Sequence, residues 1–389
     1  MAAHTCYLRC PNGRGFIRGV CGKLASCAGQ SQKYHRRTAV MSCNIQTRCV
    51  SHPPWRILFF GSDDFAVESL KRLHAARGPG ADSLVDSLEV VTLASNVPVR
   101  KFAEQHALRV QQWPQVESRG QFDVGVVVSF GCLLQDSLIN TFPYGILNVH
   151  PSLLPRWRGP APVFHTILHG DKLTGVTVMQ IRPRRFDVGP ILNQELYEIP
   201  EKCTADELGG SLAALGAQLL IDTLRNLPER IANRTEQARE GATFAPKISS
   251  SLSWLVWEEQ TCDQIDRLYR AIGSRVHLRT IWMGRAIKLL DFVGKCNVPS
   301  TEISNFAAVP GSIQYQKESN TLSVCCKDGW VGFKTVMLKK RLSAADFFNG
   351  YLHQSVLKKP DSQNNCRFQS YREKAGQNST SLLRNKTSR

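Results

Sequence analysis

A chain of 389 residues, 42% hydrophobic and 21% charged, is long enough to build two folded cores. No stretch approaches the roughly eighteen consecutive apolar residues of a membrane-spanning helix, so neither a spanning segment nor a membrane partner is expected. The formal net charge of +17 is uneven: residues 1–54 hold +8 without a single Asp or Glu, 55–246 are near neutral at −2, and 247–389 hold +11.

The opening segment, which runs to the first acidic residue Asp63, mixes Arg, Ser, Thr and Gly with scattered apolar residues such as Phe16, Ile17 and Leu24. That is the composition of a mitochondrial transit peptide; a secretory signal would need an unbroken apolar region. Residues 1–54 are therefore expected to be a removable or disordered leader, and the mitochondrial matrix the working compartment. Six of the 13 cysteines lie there (Cys6, Cys10, Cys21, Cys27, Cys43 and Cys49), and no CxxC occurs. The others read as reduced thiols, and the adjacent pair Cys325-Cys326, alternating across a strand, is not expected to bind zinc.

From residue 57 the pattern alternates strand and helix. Strands are predicted at 57–60, 88–93, 122–130 and 146–150, and helices at 65–76, 99–107 and 133–141, with a break at Gly78-Pro79-Gly80. This argues for an α/β, Rossmann-like, parallel doubly wound sheet. A dinucleotide site does not follow, because G-x-G-x-x-G is absent and Asp63-Asp64 would repel a pyrophosphate at the first helix. A short helix to His169, strands at 176–181 and 191–196, and a helix over 204–227 opened by the capping box Thr204-Ala205-Asp206-Glu207 complete a domain over 55–227. Residues 228–252, polar and rich in charge at the start, are predicted to be a linker. A helix at 264–272 leads into short strands at 286–293, 311–316, 322–327 and 332–338, with Asp328-Gly329 as a hairpin turn. These define a smaller β-barrel domain over 253–353, and the aperiodic basic residues 354–389 read as a disordered tail.

The chemistry concentrates at the end of the strand predicted at 146–150. Residues two apart share one face of a strand, so Asn148 and His150 project together, and Pro151 stops the strand beyond them. Open α/β sheets bind ligands at such carboxyl ends. An amide that donates to a developing oxyanion, beside an imidazole that moves a proton, suits attack on a carbonyl carbon. Asp187, in the loop Phe186-Asp187-Val188-Gly189, offers a carboxylate to orient that imidazole.

The run Gly145-Ile146-Leu147-Asn148-Val149-His150-Pro151-Ser152-Leu153-Leu154-Pro155-Arg156-Trp157-Arg158-Gly159 resembles the central signature of the 10-formyltetrahydrofolate-dependent formyltransferases. Ile57-Leu58-Phe59-Phe60-Gly61-Ser62 resembles their opening strand and loop, and Gly175-Val176-Thr177-Val178-Met179-Gln180 leads into the Asp loop as theirs does. Thr243-Phe244-Ala245-Pro246-Lys247-Ile248 and Pro310-Gly311-Ser312-Ile313 are similar to the interdomain segment and barrel start of the members that act on initiator methionyl-tRNA. The likeness covers residues 55–353. It implies an OB-like C-terminal domain, 10-formyltetrahydrofolate as co-substrate without a metal, and methionyl-tRNA as the acceptor of the formyl group. It further implies Asn148, His150 and Asp187 as catalytic residues and Ser152, Leu153, Leu154 and Pro155 as the folate-contacting segment.

Clustered cations bind phosphate by releasing its counterions, so the basic C-terminal region fits a tRNA-binding annex. Candidate contacts are Arg156, Arg158, Arg184 and Arg185 near the catalytic residues, and Lys339, Lys340 and Arg341 on the barrel. The tRNA-modifying relatives carry a basic loop after the second strand; here residues 93–99 are short and Arg100 and Lys101 stand only at the far end. A monomer is expected. A small-molecule formyltransferase would use the same three catalytic residues without a basic barrel. An inactive RNA-binding relative would have no need of them.

Overall fold

Strand β1 (Trp55–Gly61) shows how the first sheet is buried on both faces. Ile57 and Phe59 enter one apolar cluster and Leu58 and Phe60 another, the alternation a strand imposes when both sides are covered. The computed structural model describes residues 51–78, 83–93, 96–118, 120–298, 308–353 and 366–372. Residues 1–50 of the expected leader, the break at Pro79-Gly80 and most of the tail lie outside these, as do Ala94 and Ser95 of the short loop.

The sheet joins β1 to β2 (Val85–Thr92), β3 (Arg109–Gln112), β4 (Val124–Val128), β5 (Ile146–His150), β6 (Leu173–Gln180) and β7 (Ile191–Glu198), in the order β3-β2-β1-β4-β5-β6-β7. The first five are parallel; β6 runs antiparallel to both β5 and β7, so the expectation of a parallel sheet is corrected at this one strand. Alternating strand and helix patterns do not encode strand direction, and here a hairpin carries the chain from β6 into β7. Strand β3 escaped prediction because polar bonds hold it: Arg109 pairs with Glu89 at 3.2 Å and Gln111 Nε2 donates to Glu89 at 2.9 Å.

Helices α1 (Asp64–Ala75), α2 (Pro98–Gln105), α3 (Asp136–Ile139), α4 (Pro162–His169), α5 (Ala205–Arg225), α6 (Leu227–Ala232) and α7 (Cys262–Ile272) complete the element set up to the second sheet. Asp63 caps α1 by accepting from Ala66 N, which accounts for an acidic residue where a dinucleotide-binding turn would have none. The capping box of α5 forms as expected between Thr204 and Glu207. Two expectations change. Helix α3 spans four residues where nine were predicted, and the predicted linker begins with α6 and then pairs with the first domain, Thr235 bridging Ile191.

The second sheet is antiparallel: β8 (Leu278–Trp282), β9 (Arg285–Cys296), β10 (Ile313–Gln316), β11 (Thr321–Cys325) and β12 (Trp330–Met337) in the order β10-β11-β12-β9-β8, with β13 (Arg341–Ser343) on β12. Asp328-Gly329 turns β11 into β12 as predicted, Cys326 N donating to Gly329 O. Cys326 Sγ lies 3.4 Å from Cys262 Sγ and 3.6 Å from Asp328 Oδ1; burial pushes both thiols up, favouring their neutral forms. Helix α7 packs between this sheet and α4 and α5.

The sharpest correction concerns the tail. Residues 366–372 are ordered against the barrel: Arg367 bridges Ser312 and Gln369 bridges Ile281, so this segment reaches from the β10 side to β8 and spans the two ends of the sheet. Phe368 is fully buried and stacks near Trp257 and Phe347. Gly311, at φ +90°, allows the approach, since a Cβ there would meet Phe368 O at 2.1 Å. One apolar side chain in a polar run has no periodicity to betray it. Phe368→Ala is expected to cost about 3–5 kcal/mol in urea unfolding, and removal of 366–389 at least as much.

Candidate active site

Strand β5 ends in Asn148-Val149-His150, and Asn148 and His150 line a cleft of about 1150 Å³ at the carboxyl ends of β1, β4 and β5. Strands β1 and β4 are neighbours from which the chain proceeds to opposite sides of the sheet, the switch point where such sheets bind ligands. Two short bonds close the seam itself, Ser62 Oγ to Ser129 O and Ser129 Oγ to Asp63 Oδ2, both 2.6 Å, so the open volume lies beside it.

His150 is buried, and its Nε2 lies 2.9 Å from the Trp157 carbonyl. A carbonyl only accepts, so Nε2 carries the hydrogen and the neutral ring keeps its lone pair on Nδ1. Nδ1 sits 3.8 Å from Asp187 Oδ1, too far for a hydrogen bond. The expectation that Asp187 orients the imidazole is thus corrected: the Trp157 carbonyl does so. Trp157 is fixed in turn, at φ +62°, by its N–H on Thr243 Oγ1 and its indole N–H on Asp171 Oδ2.

Asp187 occupies the hairpin between β6 and β7 at φ +53°. Its Oδ2 accepts from Gly159 N at 2.8 Å and its Oδ1 from Asn148 Nδ2 at 3.3 Å. Below it Gly189 has no room for a side chain, since a Cβ would stand 1.8 Å from Gln180 O. From the joining segment, Gln237 Nε2 donates to Asp187 O at 3.0 Å and Gly189 O at 2.8 Å. The three predicted catalytic side chains therefore converge on one cleft. Gln237 and Gly159, which complete the arrangement, were not anticipated; Gly159 acts through its backbone N–H and Gln237 on backbone carbonyls, and neither kind of partner leaves a residue-type signal.

The predicted folate segment is placed elsewhere. Ser152 and Leu154 are buried, Ser152 Oγ donates to Arg156 O, and Leu154 N donates to Thr177 Oγ1; none of Ser152, Leu153, Leu154 or Pro155 lines the cleft. After His150 the chain turns back under β6, which carries these residues behind the wall. The apolar lining comes instead from the β4–α3 connection, with Phe130, Leu133 and Leu134 around Gly131 at φ +75°. Their place just past a strand end was the available signal.

The predicted tRNA contacts divide. Arg156 binds Asp171 at 2.8 and 2.6 Å and stacks on Trp157, and Arg158 donates to Gln237 Oε1 at 3.0 and 2.7 Å. Desolvation lowers the Arg158 pKa, opposed by the Asp187 charge. These two are internal ties, since a short loop folded on the protein finds its partners there. Arg184 pairs with Asp136 and Arg182 with Glu236. Arg185 lies exposed on the cleft rim beside Phe186, which is 62% exposed. Lys339 and Lys340 are exposed in the turn between β12 and β13, and Arg341 pairs with Asp291 at 2.6 Å.

An amide, an imidazole and a carboxylate converging at the strand ends of a doubly wound sheet define a group-transfer enzyme acting at a carbonyl carbon. Residues 79–224 match the formyl transferase family and residues 247–352 its C-terminal domain family. The chain is 56% identical over 333 residues to the mitochondrial methionyl-tRNA formyltransferase of Homo sapiens, covering 84% of this chain and 85% of that one. It is 55% identical over 375 residues to that of Bos taurus, covering 92% and 96%. A bacterial methionyl-tRNA formyltransferase, from Roseobacter denitrificans, is 33% identical over 312 residues, covering 76% of this chain and 95% of that one. The sugar 3N-formyl transferase WlaRD shares the fold, with a TM-score of 0.52 at 18% identity over 72% of this chain and 97% of its own. The chain belongs to the methionyl-tRNA formyltransferase family.

Gly189→Ala is expected to displace the Asp187 loop and reduce turnover by at least about tenfold, a 1.4 kcal/mol effect on the barrier, with folding retained in circular dichroism.

Proposed function

We propose that this chain transfers the formyl group of 10-formyltetrahydrofolate to the α-amino group of initiator methionyl-tRNA in the mitochondrial matrix, and that Asn148, His150 and Asp187 carry out the transfer. The observation that carries the reading is the convergence of these three side chains on one open cleft. The acid-free leader and the compartment in the relatives' names support the location.

The neutral amine attacks the formyl carbon, a C–N bond forms, and the carbonyl electrons move onto oxygen. One hydrogen of the Asn148 amide is directed at Asp187, and the other is available for the oxyanion. A protonated His150 would offer the oxyanion a second hydrogen from Nδ1, while Nε2 stays on the Trp157 carbonyl. Asp187 takes the proton shed by the attacking nitrogen. Collapse of the intermediate breaks the C–N10 bond, and N10 leaves with a proton delivered through the same groups or a water.

The pterin fits best against Phe130, Leu133 and Leu134, whose apolar surfaces can cover its faces while backbone groups of the β4–α3 connection read its edge. Arg185 and the Lys339-Lys340 turn are the candidate phosphate contacts for tRNA. The basic barrel favours this acceptor over an amino sugar, which would have no use for it.

Asn148→Ala is expected to lower kcat by about 10²–10³. Asn148→Asp should be worse, since it places a negative charge where an oxyanion forms. His150→Ala and Asp187→Ala should each abolish nearly all formyl transfer; near wild-type turnover in either removes that residue from the chemistry. For the acceptor, Arg185→Glu and Lys339→Glu with Lys340→Glu should each raise KM for tRNA and flatten the salt dependence of binding by about 0.7–0.9 per lost phosphate contact, leaving folate affinity unchanged. An unaltered slope would make the site a solvated surface.

A further inference from the structure

We propose that Gln237, in the segment between the two sheets, is a positioning residue that holds the Asp187 carboxylate in its reactive place. This rests on Asp187 serving as the proton acceptor of the reaction.

The segment reaches the site as an extra edge of the first sheet. Thr235 exchanges both backbone hydrogen bonds with Ile191, at 2.8 and 2.9 Å, directly after the Asp187 hairpin. Glu236 pairs with Arg182 on the other limb of that hairpin. Gln237 is thereby set opposite the Asp187 loop, and its amide uses both ends. Nε2 donates to the carbonyls of Asp187 and Gly189, while Oε1 accepts from Nε and an NH2 group of Arg158.

That matters because, apart from the long 3.3 Å bond from Asn148, Asp187 is held at two points. Its carboxylate accepts from Gly159 N, on the loop containing Arg158, and its backbone carbonyl accepts from Gln237. Gln237 ties these two loops to each other, and its amide offers a donor to one and an acceptor to the other as no carboxylate or ammonium does. With a left-handed backbone at Asp187 the hairpin has little local preference for its observed conformation. Without Gln237 the hairpin can relax and carry the carboxylate away from Asn148 and the attacking amine. Displacement of a reacting group by about 1 Å is enough to cost on the order of 10²-fold in rate.

The test is a double-mutant cycle in the full chain with methionyl-tRNA and 10-formyltetrahydrofolate. Gln237→Glu keeps the acceptor for Arg158 but loses both donated bonds; Gln237→Ala loses all of them without introducing charge. Each is expected to lower kcat at least tenfold, with both KM values within twofold and the urea midpoint unchanged. In an Asp187→Ala background, Gln237→Ala should cost less than a further twofold, because a residue that acts through Asp187 has nothing left to position. Wild-type kcat in both single variants, while Asp187→Ala is strongly impaired, would overturn the inference alone. So would an undiminished further loss in the Asp187→Ala background, or a loss that follows a lowered unfolding midpoint. Full turnover in Asp187→Ala itself would instead overturn the catalytic reading beneath it.

Discussion

The site depends on the Asp187 carboxylate and the two groups that donate hydrogen bonds to it, Gly159 N at 2.8 Å and Asn148 Nδ2 at 3.3 Å. A carboxylate withdrawn from water needs such partners. Satisfying Asp187 draws together three separate segments: the end of β5, the loop after it and the β6–β7 hairpin. Were β6 parallel to the rest, the hairpin that joins it to β7 and carries Asp187 would not exist. The mixed direction of the sheet is therefore tied to the site.

A second constraint is close backbone approach. Gly189 against Gln180 O and Gly159 against Ala245 O leave 1.8 and 2.8 Å for a hypothetical Cβ. Gly159 also stands at φ +119°, a conformation in which side chains are strained. Both glycines neighbour the Asp187 anchor, so the loops around the carboxylate are packed as tightly as backbone allows. The apolar lining of the cleft differs in kind: Leu133 of the β4–α3 connection and Phe186 beside Asp187 are half or more exposed, a surface suited to covering an incoming ring or side chain.

The segment that joins the sheets belongs to the site as much as to the fold. It bonds to Ile191 and Arg158 by backbone, to Asp187 through Gln237, and to Trp157 through Thr243. His150 is thereby oriented at one remove by Thr243, which helps fix the residue whose carbonyl holds the imidazole. At the far end of the chain, residues 366–369 play a comparable part for the barrel by spanning β8 and the start of β10. Both segments are polar in sequence, and both owe their order to partners distant along the chain.

What the sequence by itself determined follows from local physics. The alternation of apolar residues in β1, the capping box of α5, the Asp328-Gly329 turn and the shared face of Asn148 and His150 each depend on neighbours within a few positions, and each was legible. The formyltransferase likeness rested on the same kind of contiguous motif. Tertiary structure alone decided the reversed direction of β6, the polar edge strand β3 and the place of Phe368 in the core. It also exchanged two expected roles: Trp157 O took the imidazole assigned to Asp187, and the Phe130–Leu134 wall replaced the Ser152–Pro155 segment at the cleft. Arg156 and Arg158 became internal ties because the fold brings the Asp171 carboxylate and the Gln237 amide oxygen to them. A hydrogen bond to a backbone carbonyl or N–H can be made by any residue brought near enough, so only the folded chain reveals which one is.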